Sequence, residues 1–466
     1  MTDQEYIRHH KDDPVRPLAL RPMPEGVNRT WVLQQIEGYQ LAKKKLPHWA
    51  AIYDEGKDLH FPPRLSLEQC SSEATARYKA QEISIVNCPP SSARLSTYGA
   101  QEFSILIDLT GGFGVDFSYL APHFSRAIYV EQQSVLCDVA RHNLPLLGIS
   151  NAEVINATCE EQLSTLNSPP SSARLSTHGA QELSTIFFLD PARRDSAGNK
   201  VFCLEDCSPD ITQLQDTLLN IGDAIMVKLS PMLDITQALR QLRCVTDVHV
   251  ISVKGECKEL LIIMRKDKAP DQPITFHCVN LETEEDKLED PPTDSPLTDS
   301  PPAPLLERGE EYDSVIKEVF SAKYIGNRSP LSKRGVRGES GGESVGGAFL
   351  FEPNASILKA GLQDVFGERY GLSKLHPNSN LFVGKEPIPR VPARQFRIVD
   401  VTDFSKANLK RFLKGISHAN LTIRNFPATV QELRKRLKLK EGGSDYLFAT
   451  TLSNGSHVLI RCIKEQ

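Results

Sequence analysis

Ile105-Leu-Ile-Asp-Leu-Thr-Gly-Gly-Phe-Gly-Val-Asp116 is the stretch around which the fold of this chain is organised. The apolar run from Phe103 to Leu109 predicts a buried strand. Three glycines follow it, and they allow a sharp turn in which the backbone approaches a ligand closely. The segment from Asp116 to Leu120 then predicts a helix whose first N–H groups point at that ligand.

The next predicted strand, Ala127-Ile-Tyr-Val-Glu131, ends in a carboxylate. A strand, a Gly-rich turn, a helix and a strand ending in an acid are how α/β folds hold an adenosine-containing cofactor. The dinucleotide fingerprint G-x-G-x-x-G is not met, because the third glycine is missing at that spacing. An acid before the glycines, Asp108, suits S-adenosylmethionine, which has a cationic amino acid and no pyrophosphate. The alternative is a tight strand–helix turn that binds no ligand.

Length and composition bound the remaining possibilities. A chain of 466 residues predicts two or three domains, and its 40% hydrophobic residues can fill a core. No apolar run is long enough to span a membrane, and the N-terminus does not resemble a signal peptide, so we expect a cytoplasmic protein. The ten cysteines include no C-x-x-C pair, which predicts reduced thiols and no metal site.

Charge is distributed unevenly along the chain. Residues 394–466 contain 14 Lys and Arg against 6 Asp and Glu, a net charge of +8 in a chain whose overall charge is −5. The remainder therefore carries −13. A basic C-terminal module on an acidic body suggests that the module meets a polyanion.

Residues 1–64 predict a helical N-terminal extension, in which Asn28 to Lys45 forms a helix that ends before Pro47. The run Lys43-Lys44-Lys45 is interpreted as a solvated helix end rather than an RNA contact. Further on, Ser71 or Ser72 can cap a helix that starts at Glu73 and precedes the first strand.

Residues 89–104 and 169–184 are near-identical copies of one polar segment with almost no core-forming residues. A structural repeat would bring its own hydrophobic period, so these copies are interpreted as insertions. Both directly precede predicted strands. In a parallel sheet those points lie opposite the ligand crevice, where an insertion can extend into solvent without blocking the site.

The α/β alternation continues beyond the second strand. Further strands are predicted at Ala152–Asn156, Thr185–Asp190 and Ala224–Ser230, followed by a hairpin formed by Val248–Val253 and Glu259–Met264. At the end of the third strand the usual acid for the adenine base is missing, and Thr158 or Glu160 can substitute for it.

The glycine turn and the acid-ended strand resemble motif I of the class I S-adenosylmethionine-dependent methyltransferases, and the resemblance covers roughly Leu65 to Lys268. It implies an α/β fold: a Rossmann-like sheet with a terminal antiparallel hairpin. It also implies that Glu131 binds the ribose hydroxyls. The implied cofactor contacts are Asp108, Thr110, Gly111, Gly112, Gly114, Glu131 and Thr158. Lys79, on the segment that enters the first strand, is either a further pocket residue or plain helix surface.

Asp190-Pro191-Ala192-Arg193 ends the fourth strand, where that family places an Asp/Asn-Pro-Pro-aromatic motif in enzymes that methylate amino groups. There the polar residue accepts a hydrogen bond from an exocyclic amine and aligns it for in-line transfer. The catalytic candidates are therefore Asp190, Pro191 and Arg193. Arg193 replaces the aromatic residue, so it could hold a guanine edge or a phosphate. Arg194 and Lys228 are further substrate candidates, and the alternative is that Asp190 only caps a turn.

Residues 269–346 are predicted to be a largely disordered linker because they are rich in Pro, Ser, Gly and acidic residues. Within it, Tyr312 to Tyr324 could form a short helix. Order is expected to return in a small connecting domain at 347–392, of ferredoxin-like type by resemblance. The last block, 393–466, predicts a strand–helix–strand–helix–strand–strand module of the α+β class.

These blocks closely resemble a bacterial family of class I methyltransferases with a C-terminal THUMP-like domain. THUMP modules bind RNA in enzymes that modify tRNA and rRNA, so the resemblance implies an RNA partner. The candidate RNA contacts are Arg434, Lys435 and Arg436 on the basic second helix of the module. For this helix alone, a solvated basic face is the alternative.

The sequence therefore predicts an S-adenosylmethionine-dependent methyltransferase that acts on an exocyclic amine of a base in rRNA or tRNA. Two alternatives stay open. One is a small-molecule methyltransferase, and the other is a non-catalytic RNA-binding protein that retains the fold.

Overall fold

A computed structural model describes residues 1–86, 104–167, 184–192, 203–281, 316–324 and 349–464. The chain divides into two compact units. The first contains Met1–Val248, Glu259–Gln272 and Leu281–Ile316, and the second contains His249–Lys258, Pro273–Asn280 and Lys317–Gln466. The repeat copies, apart from their last residues Ser104 and Ser184, lie outside the described residues.

The N-terminal extension is helical, as predicted. Its helices are α1 (Asp3–His10), α2 (Val15–Ala19), α3 (Arg29–Lys45), α4 (Pro47–Asp54), α5 (Arg64–Gln69) and α6 (Glu73–Val86). Asn28 caps α3 by accepting a hydrogen bond from the N–H of Trp31, and Pro47 begins the next helix. The ring of Trp49 packs edge-on against Phe113 with centroids 5.0 Å apart, so the extension covers the glycine turn.

The α/β region alternates strands and helices along the chain. Its elements are β1 (Ser104–Asp108), α7 (Val115–Leu120), β2 (Arg126–Glu131), α8 (Ser134–Leu146), β3 (Ala152–Asn156), α9 (Cys159–Leu166), β4 (Ser184–Leu189), α10 (Ile211–Ile221), β5 (Ala224–Leu229), α11 (Ile235–Gln241), β6 (Val245–Val253), β7 (Glu256–Arg265), β8 (Ile274–Leu281) and β9 (Ile316–Tyr324). The nine strands are hydrogen-bonded in the order β3-β2-β1-β4-β5-β7-β6-β8-β9. Strands β1 to β5 are mutually parallel and β7 runs antiparallel to β5, which confirms the predicted fold class.

The strand order reverses between β1 and β4, which are adjacent although they are far apart in the chain. Their first residues, Ser104 and Ser184, pair directly. Every residue of β1 is buried, because a parallel sheet is covered on both faces. In such sheets ligands bind beyond the carboxyl ends of the strands at the point of reversal. Asp108 and Asp190 stand at that point.

Two segments of the expected linker belong to strands instead. Ile274–Leu281 forms β8, in which Phe276, Cys278 and Leu281 are buried. Ile316–Tyr324 forms β9, so the expectation of a short helix from Tyr312 to Tyr324 was wrong. Ile, Val, Phe and Tyr, which favour strands, occur within this segment, and the edge beside β8 supplies their hydrogen-bond partners.

The second sheet is built from the C-terminal part of the chain. Its elements are β10 (Phe349–Pro353), α12 (Ala355–Lys359), α13 (Gln363–Tyr370), β11 (Ser373–Lys374), β12 (Phe382–Gly384), β13 (Ala393–Asp403), α14 (Lys406–Phe412), β14 (Asn420–Arg424), α15 (Val430–Leu437), β15 (Asp445–Thr451) and β16 (His457–Lys464). The strand order is β11-β12-β10-β13-β16-β15-β14, and among these pairs only β14 and β15 are parallel. The predicted order of elements in the C-terminal module is confirmed.

Alternate residues of the C-terminal strands fill two separate cores. Phe396, Phe448 and Ile460 point into one, whereas Leu447 and Leu459 point into the other together with Leu433 and Leu437 of α15. Helix α15 thus buries its apolar side and leaves its basic side in solvent.

None of the described helices combines the length and apolar character that crossing a lipid bilayer requires. The expected cytoplasmic location stays a prediction.

Candidate cofactor and catalytic site

The glycine turn lies directly on the ring of a strand residue. A Cβ on Gly111 would come within 2.2 Å of the Tyr129 ring, so only glycine fits there. Gly112 and Gly114 adopt positive φ angles of 56° and 82°, which L side chains rarely adopt. The Tyr129 hydroxyl donates to the carbonyl of Gly112 at 2.5 Å. Strand β2 therefore shapes the turn that follows β1.

Glu131 ends β2 and is bound to the same turn. Its Oε2 accepts a hydrogen bond from the N–H of Gly112 at 3.0 Å, and its Oε1 accepts one from Gln133 at 2.8 Å. The side chain is buried. The carboxylate is therefore held in one orientation beside the turn, and the ribose contact that the family resemblance implies for Glu131 stays a prediction.

Asp108 and Thr110 connect the ends of β1 and β4. Asp108 is buried, and its Oδ1 accepts a hydrogen bond from the N–H of Thr110 at 2.9 Å. Burial raises the pKa of Asp108 well above its ordinary value, and the negative charges of nearby acids raise it further. The Thr110 hydroxyl in turn accepts a hydrogen bond from the backbone N–H of Asp190 at 2.6 Å. Thr110 thus links the glycine turn to Asp190, the catalytic candidate.

Asp190 follows β4, and its carboxylate contacts a lysine of the neighbouring strand. Its Oδ2 lies 2.6 Å from Nζ of Lys228 on β5, while 37% of the Asp190 side chain remains exposed. Pro191 is buried, and Ala192 exchanges two backbone hydrogen bonds with Ser208, at 2.7 and 3.1 Å. These bonds hold the turn that carries Asp190. Arg193 and Arg194 lie outside the described residues.

Asp190 is the last of five charged side chains that alternate in sign: Glu259, Lys79, Asp116, Lys228 and Asp190, here called the charge row. Lys79 is fully buried, and its Nζ lies 2.5 Å from Glu259 Oε1 and 3.0 Å from Asp116 Oδ1. Lys228 Nζ lies 3.6 Å from Asp116 Oδ2. The Ser71 hydroxyl donates to Asp116 Oδ2 at 2.6 Å and accepts from Lys79 at 3.1 Å. Buried charges are tolerated when they are paired in this way.

The pairing shifts the proton affinities of two members of the charge row. Burial by itself would raise the pKa of Asp116, but the ammonium groups of Lys79 and Lys228 lower it below its ordinary value. Burial likewise opposes the charge of Lys228, but Asp190 and Asp116 outweigh it and raise the pKa of this lysine. Both groups are therefore held in their charged forms at neutral pH.

Several predicted site residues occupy places that fit a different role. Lys79 is enclosed in the charge row, and this burial does not favour the predicted contact with the cofactor. Lys228 is also buried, so a direct contact with RNA is not favoured for it. Thr158 caps α9: its hydroxyl accepts a hydrogen bond from the N–H of Glu161 at 3.2 Å. The roles predicted for these three residues stay predictions.

Sequence reasoning missed Asp116, Glu259 and Tyr129 as parts of the site. Asp116 could have been found, because it lies in the first turn of the helix that follows the glycine turn. Glu259 gave no such signal, since it stands in a strand of the hairpin, 180 residues after its partner Lys79. Tyr129 contacts Gly111 because its strand, β2, is the neighbour of β1. The spacing of residues along the chain does not reveal which strands are neighbours.

The basic residues of the C-terminal module fall into paired and exposed groups. Arg394 and Arg424 both pair with the buried carboxylate of Glu352, and Arg461 pairs with Asp445. On α15 the half-buried Arg434 donates to the carbonyl of Ala419 at 3.3 Å. Lys435, Arg436, Lys438 and Lys440 are exposed at the end of α15 and just after it. This exposed group, called the α15 basic face, contains two of the three predicted RNA contacts.

The residues around the glycine turn fit S-adenosylmethionine chemically. The carboxylate of Glu131 can accept hydrogen bonds from two vicinal hydroxyls. Asp116, Asp190 and Glu131 are close enough to raise the pKa of Asp108, so several carboxyl groups lie near the glycine turn. In the described ranges no three His, Cys, Asp or Glu side chains are grouped as a metal site would require. The expectation that the protein uses no metal stays a prediction.

Comparison with known proteins identifies the C-terminal domains and supports the enzyme class. Residues 349–392 match a family model described as a ferredoxin-like domain, and residues 393–464 match one described as THUMP domain-like. An uncharacterized S-adenosylmethionine-dependent methyltransferase of Mycobacterium tuberculosis, represented in strains CDC 1551 and H37Rv, is 22% identical over 358 residues. That alignment covers 76% of this chain and 78% of the relative.

A solved structure is similar over the whole chain. The crystal structure of a candidate methyltransferase from Porphyromonas gingivalis W83 superposes with a TM-score of 0.73 at 29% identity and covers 100% of this chain and 98% of its own. The predicted family, enzyme class and cofactor are confirmed by these similarities. The chain is thus similar to S-adenosylmethionine-dependent methyltransferases over most of its length, and its C-terminal part matches the THUMP domain-like model.

Proposed function

We propose that this protein methylates an exocyclic amine of a base in rRNA or tRNA. The observation that carries the proposal is the position of Asp190. Its partly exposed carboxylate stands at the carboxyl end of β4, next to the end of β1, and its backbone N–H donates to the Thr110 hydroxyl beside the glycine turn. An acceptor at this place can bind the N–H of an amine and direct its lone pair toward the crevice.

The chain's own residues then have distinct tasks. Glu131 and Asp108 would hold S-adenosylmethionine against the backbone of the glycine turn, and the cofactor supplies an electrophilic methyl group when bound. Asp190 accepts a hydrogen bond from the substrate amine and stabilises the positive charge that develops on its nitrogen. Trp49 and Phe113 keep water from the outer side of the glycine turn. Most of the rate enhancement would come from alignment.

An RNA substrate is supported by the C-terminal module. THUMP-like modules resemble RNA-binding THUMP domains, and the α15 basic face presents four exposed cations within six residues. Such a face binds phosphates through charge, without reading the base sequence. The departures at Ala192 and Arg193 make adenine N6 a less natural target, because the aromatic platform for a flipped base is missing.

The two alternatives predict different behaviour. A small-molecule methyltransferase would keep its turnover when residues 394–466 are deleted. A non-catalytic RNA-binding protein would bind RNA and show no methyl transfer. A small-molecule methyltransferase would not require the basic C-terminal module. A non-catalytic RNA-binding protein would not require a partly exposed carboxylate at the end of β4.

Comparison of modified nucleosides tests the proposal. Total rRNA and tRNA from a strain that lacks the gene are digested and analysed by mass spectrometry, beside RNA from the parent strain. We expect one methylated base to disappear and to return on complementation with the wild-type gene, but not with Asp190→Ala. The purified protein should transfer labelled methyl groups to RNA of the deletion strain alone. Identical nucleoside profiles in both strains, together with no transfer in vitro, would exclude RNA methylation.

A further inference from the structure

Asp190 and Lys228 form the contact on which this inference depends. Nζ of Lys228 lies 2.6 Å from Oδ2 of Asp190. Because the Asp190 side chain is partly exposed, its Oδ1 can accept a hydrogen bond from a substrate. A lysine ammonium group has three donors and no acceptor. The contact with Lys228 therefore determines which carboxylate oxygen of Asp190 is available to the substrate and in which direction that oxygen points.

Lys228 is itself held from behind. Asp116 lies 3.6 Å from its Nζ, and Asp116 is fixed by the Ser71 hydroxyl and by Lys79, which is anchored in turn by Glu259. These contacts connect α6, α7, β5 and β7 to the end of β4. A buried ammonium with two carboxylate partners has little freedom to move.

We propose that Lys228 is a positioning residue of the methyl-transfer site, which holds Asp190 so that one defined oxygen accepts the substrate amine. The inference rests on the proposed function, because it assumes that Asp190 accepts a hydrogen bond from an amine. It replaces the predicted contact of Lys228 with RNA by an action through Asp190.

The arrangement has an unusual consequence for Asp190→Asn. Lys228 can only donate, so it would capture the carbonyl oxygen of the new amide and turn its NH2 group toward the substrate. Two donors would then face each other, and the amine could not be aligned. Removal of Lys228 in the same chain would let the amide rotate and present its oxygen. The double variant Lys228→Met/Asp190→Asn should therefore be more active than Asp190→Asn alone.

The experiment compares kcat and KM for these variants in the full-length protein. The substrate is RNA from the deletion strain, and affinity for S-adenosylmethionine is measured separately by calorimetry. We expect Lys228→Met to lower kcat by about 10²-fold, as misplacement of a reacting group does, with cofactor affinity unchanged. Lys228→Arg, which keeps the cation, should recover part of the rate. Lys266→Met, which removes an exposed lysine bound to the carbonyl of Asn220, is the matched control and should behave as wild type.

The double variant keeps the test decisive if Lys228→Met alone is unstable. It removes one positive and one negative charge, so the net charge of the charge row is unchanged. A double variant that is faster than Asp190→Asn supports the proposal. One that is equally slow or slower would mean that Lys228 has only a structural role. No transfer by the wild-type protein would overturn the proposed function and this inference together.

Discussion

Glu131 Oε2 accepts a hydrogen bond from the N–H of Gly112 at 3.0 Å, which joins the acid at the end of β2 to the turn after β1. The same carboxylate binds the N–H of Gln133 through its other oxygen. The two elements that recognise an adenosine cofactor in this fold are therefore assembled by one side chain.

Replacing Glu131 by alanine should weaken S-adenosylmethionine binding. The change removes two carboxylate acceptors for the ribose hydroxyls, and hydrogen bonds to charged groups contribute about 1.5–3 kcal/mol each. Isothermal calorimetry measures the loss. Glu153→Ala, which removes an exposed acid paired with Arg126, is the control and should bind the cofactor normally. Equal affinities in wild type and Glu131→Ala would remove Glu131 from the site.

Replacing Gly111 by alanine should destabilise the protein by about 1–3 kcal/mol, the usual cost of overpacking. The new methyl group would overlap the Tyr129 ring, and the glycine turn would have to move away from β2. Chemical denaturation measures the loss, and calorimetry should show weaker cofactor binding. Truncation of the ring in Gly111→Ala/Tyr129→Ala should cost less than the two single changes added together. Strict additivity would mean that the turn does not lie on Tyr129.

Replacing Asp190 by alanine should lower turnover and leave cofactor affinity unchanged. Loss of one positioned hydrogen-bonding group in a catalytic site typically costs about 10²–10³ in rate. Single-turnover methylation of RNA from the deletion strain measures this effect, with calorimetric cofactor binding as the control for folding. A wild-type rate in Asp190→Ala would leave this residue as a turn cap only.

Charge reversal on the α15 basic face should weaken RNA binding for all sequences alike. Lys435→Glu/Arg436→Glu removes two phosphate contacts, and each contact contributes about 0.7–0.9 to the slope of log K against log salt. Fluorescence anisotropy titrations at several salt concentrations give that slope. Lys43→Glu/Lys44→Glu, the same change in the basic run of α3, is the matched control. If both variants reduce the slope equally, the contacts are not specific to α15.

The N-terminal extension should lose stability as the pH falls below about 6.5, the ordinary value for histidine. Burial lowers the pKa of His48, and burial together with His142 lowers that of His60. The folded state therefore binds fewer protons than the unfolded state, and the stability present above this pH is lost as the pH approaches the folded values. Both histidines are only half-buried, so the solvent screens part of this effect.

Thermal melting at several pH values between about 5 and 8 tests this dependence. His48→Gln/His60→Gln should melt at temperatures that vary less with pH than those of the wild type. His9→Gln, on the exposed side of α1, is the control and should keep the wild-type dependence. An unchanged pH dependence in the double variant would assign the effect to other groups.

The sequence by itself determined the local parts of this protein. The strand–glycine–helix pattern located the cofactor turn, and the C-terminal alternation predicted the order of elements in the THUMP-like module. Asp190 could be found because the carboxyl ends of parallel strands meet at one edge, so a polar residue that ends a strand reaches the crevice. The strand β9 was missed because a short segment between two low-complexity stretches has no clear period.

Only the tertiary structure decided the electrostatics of the site. From the sequence, Lys79 was either a pocket residue or helix surface. In the fold, Lys79 on α6 contacts Glu259 on β7, which follows it by 180 residues. Lys228 was predicted as a substrate contact, whereas the structure places it on β5 against Asp190. The physical reason is that periodicity and turn chemistry are local, whereas a buried ion pair depends on which strands are neighbours. The order β1-β4-β5-β7 brings these charges together, and no spacing within the chain encodes their distances.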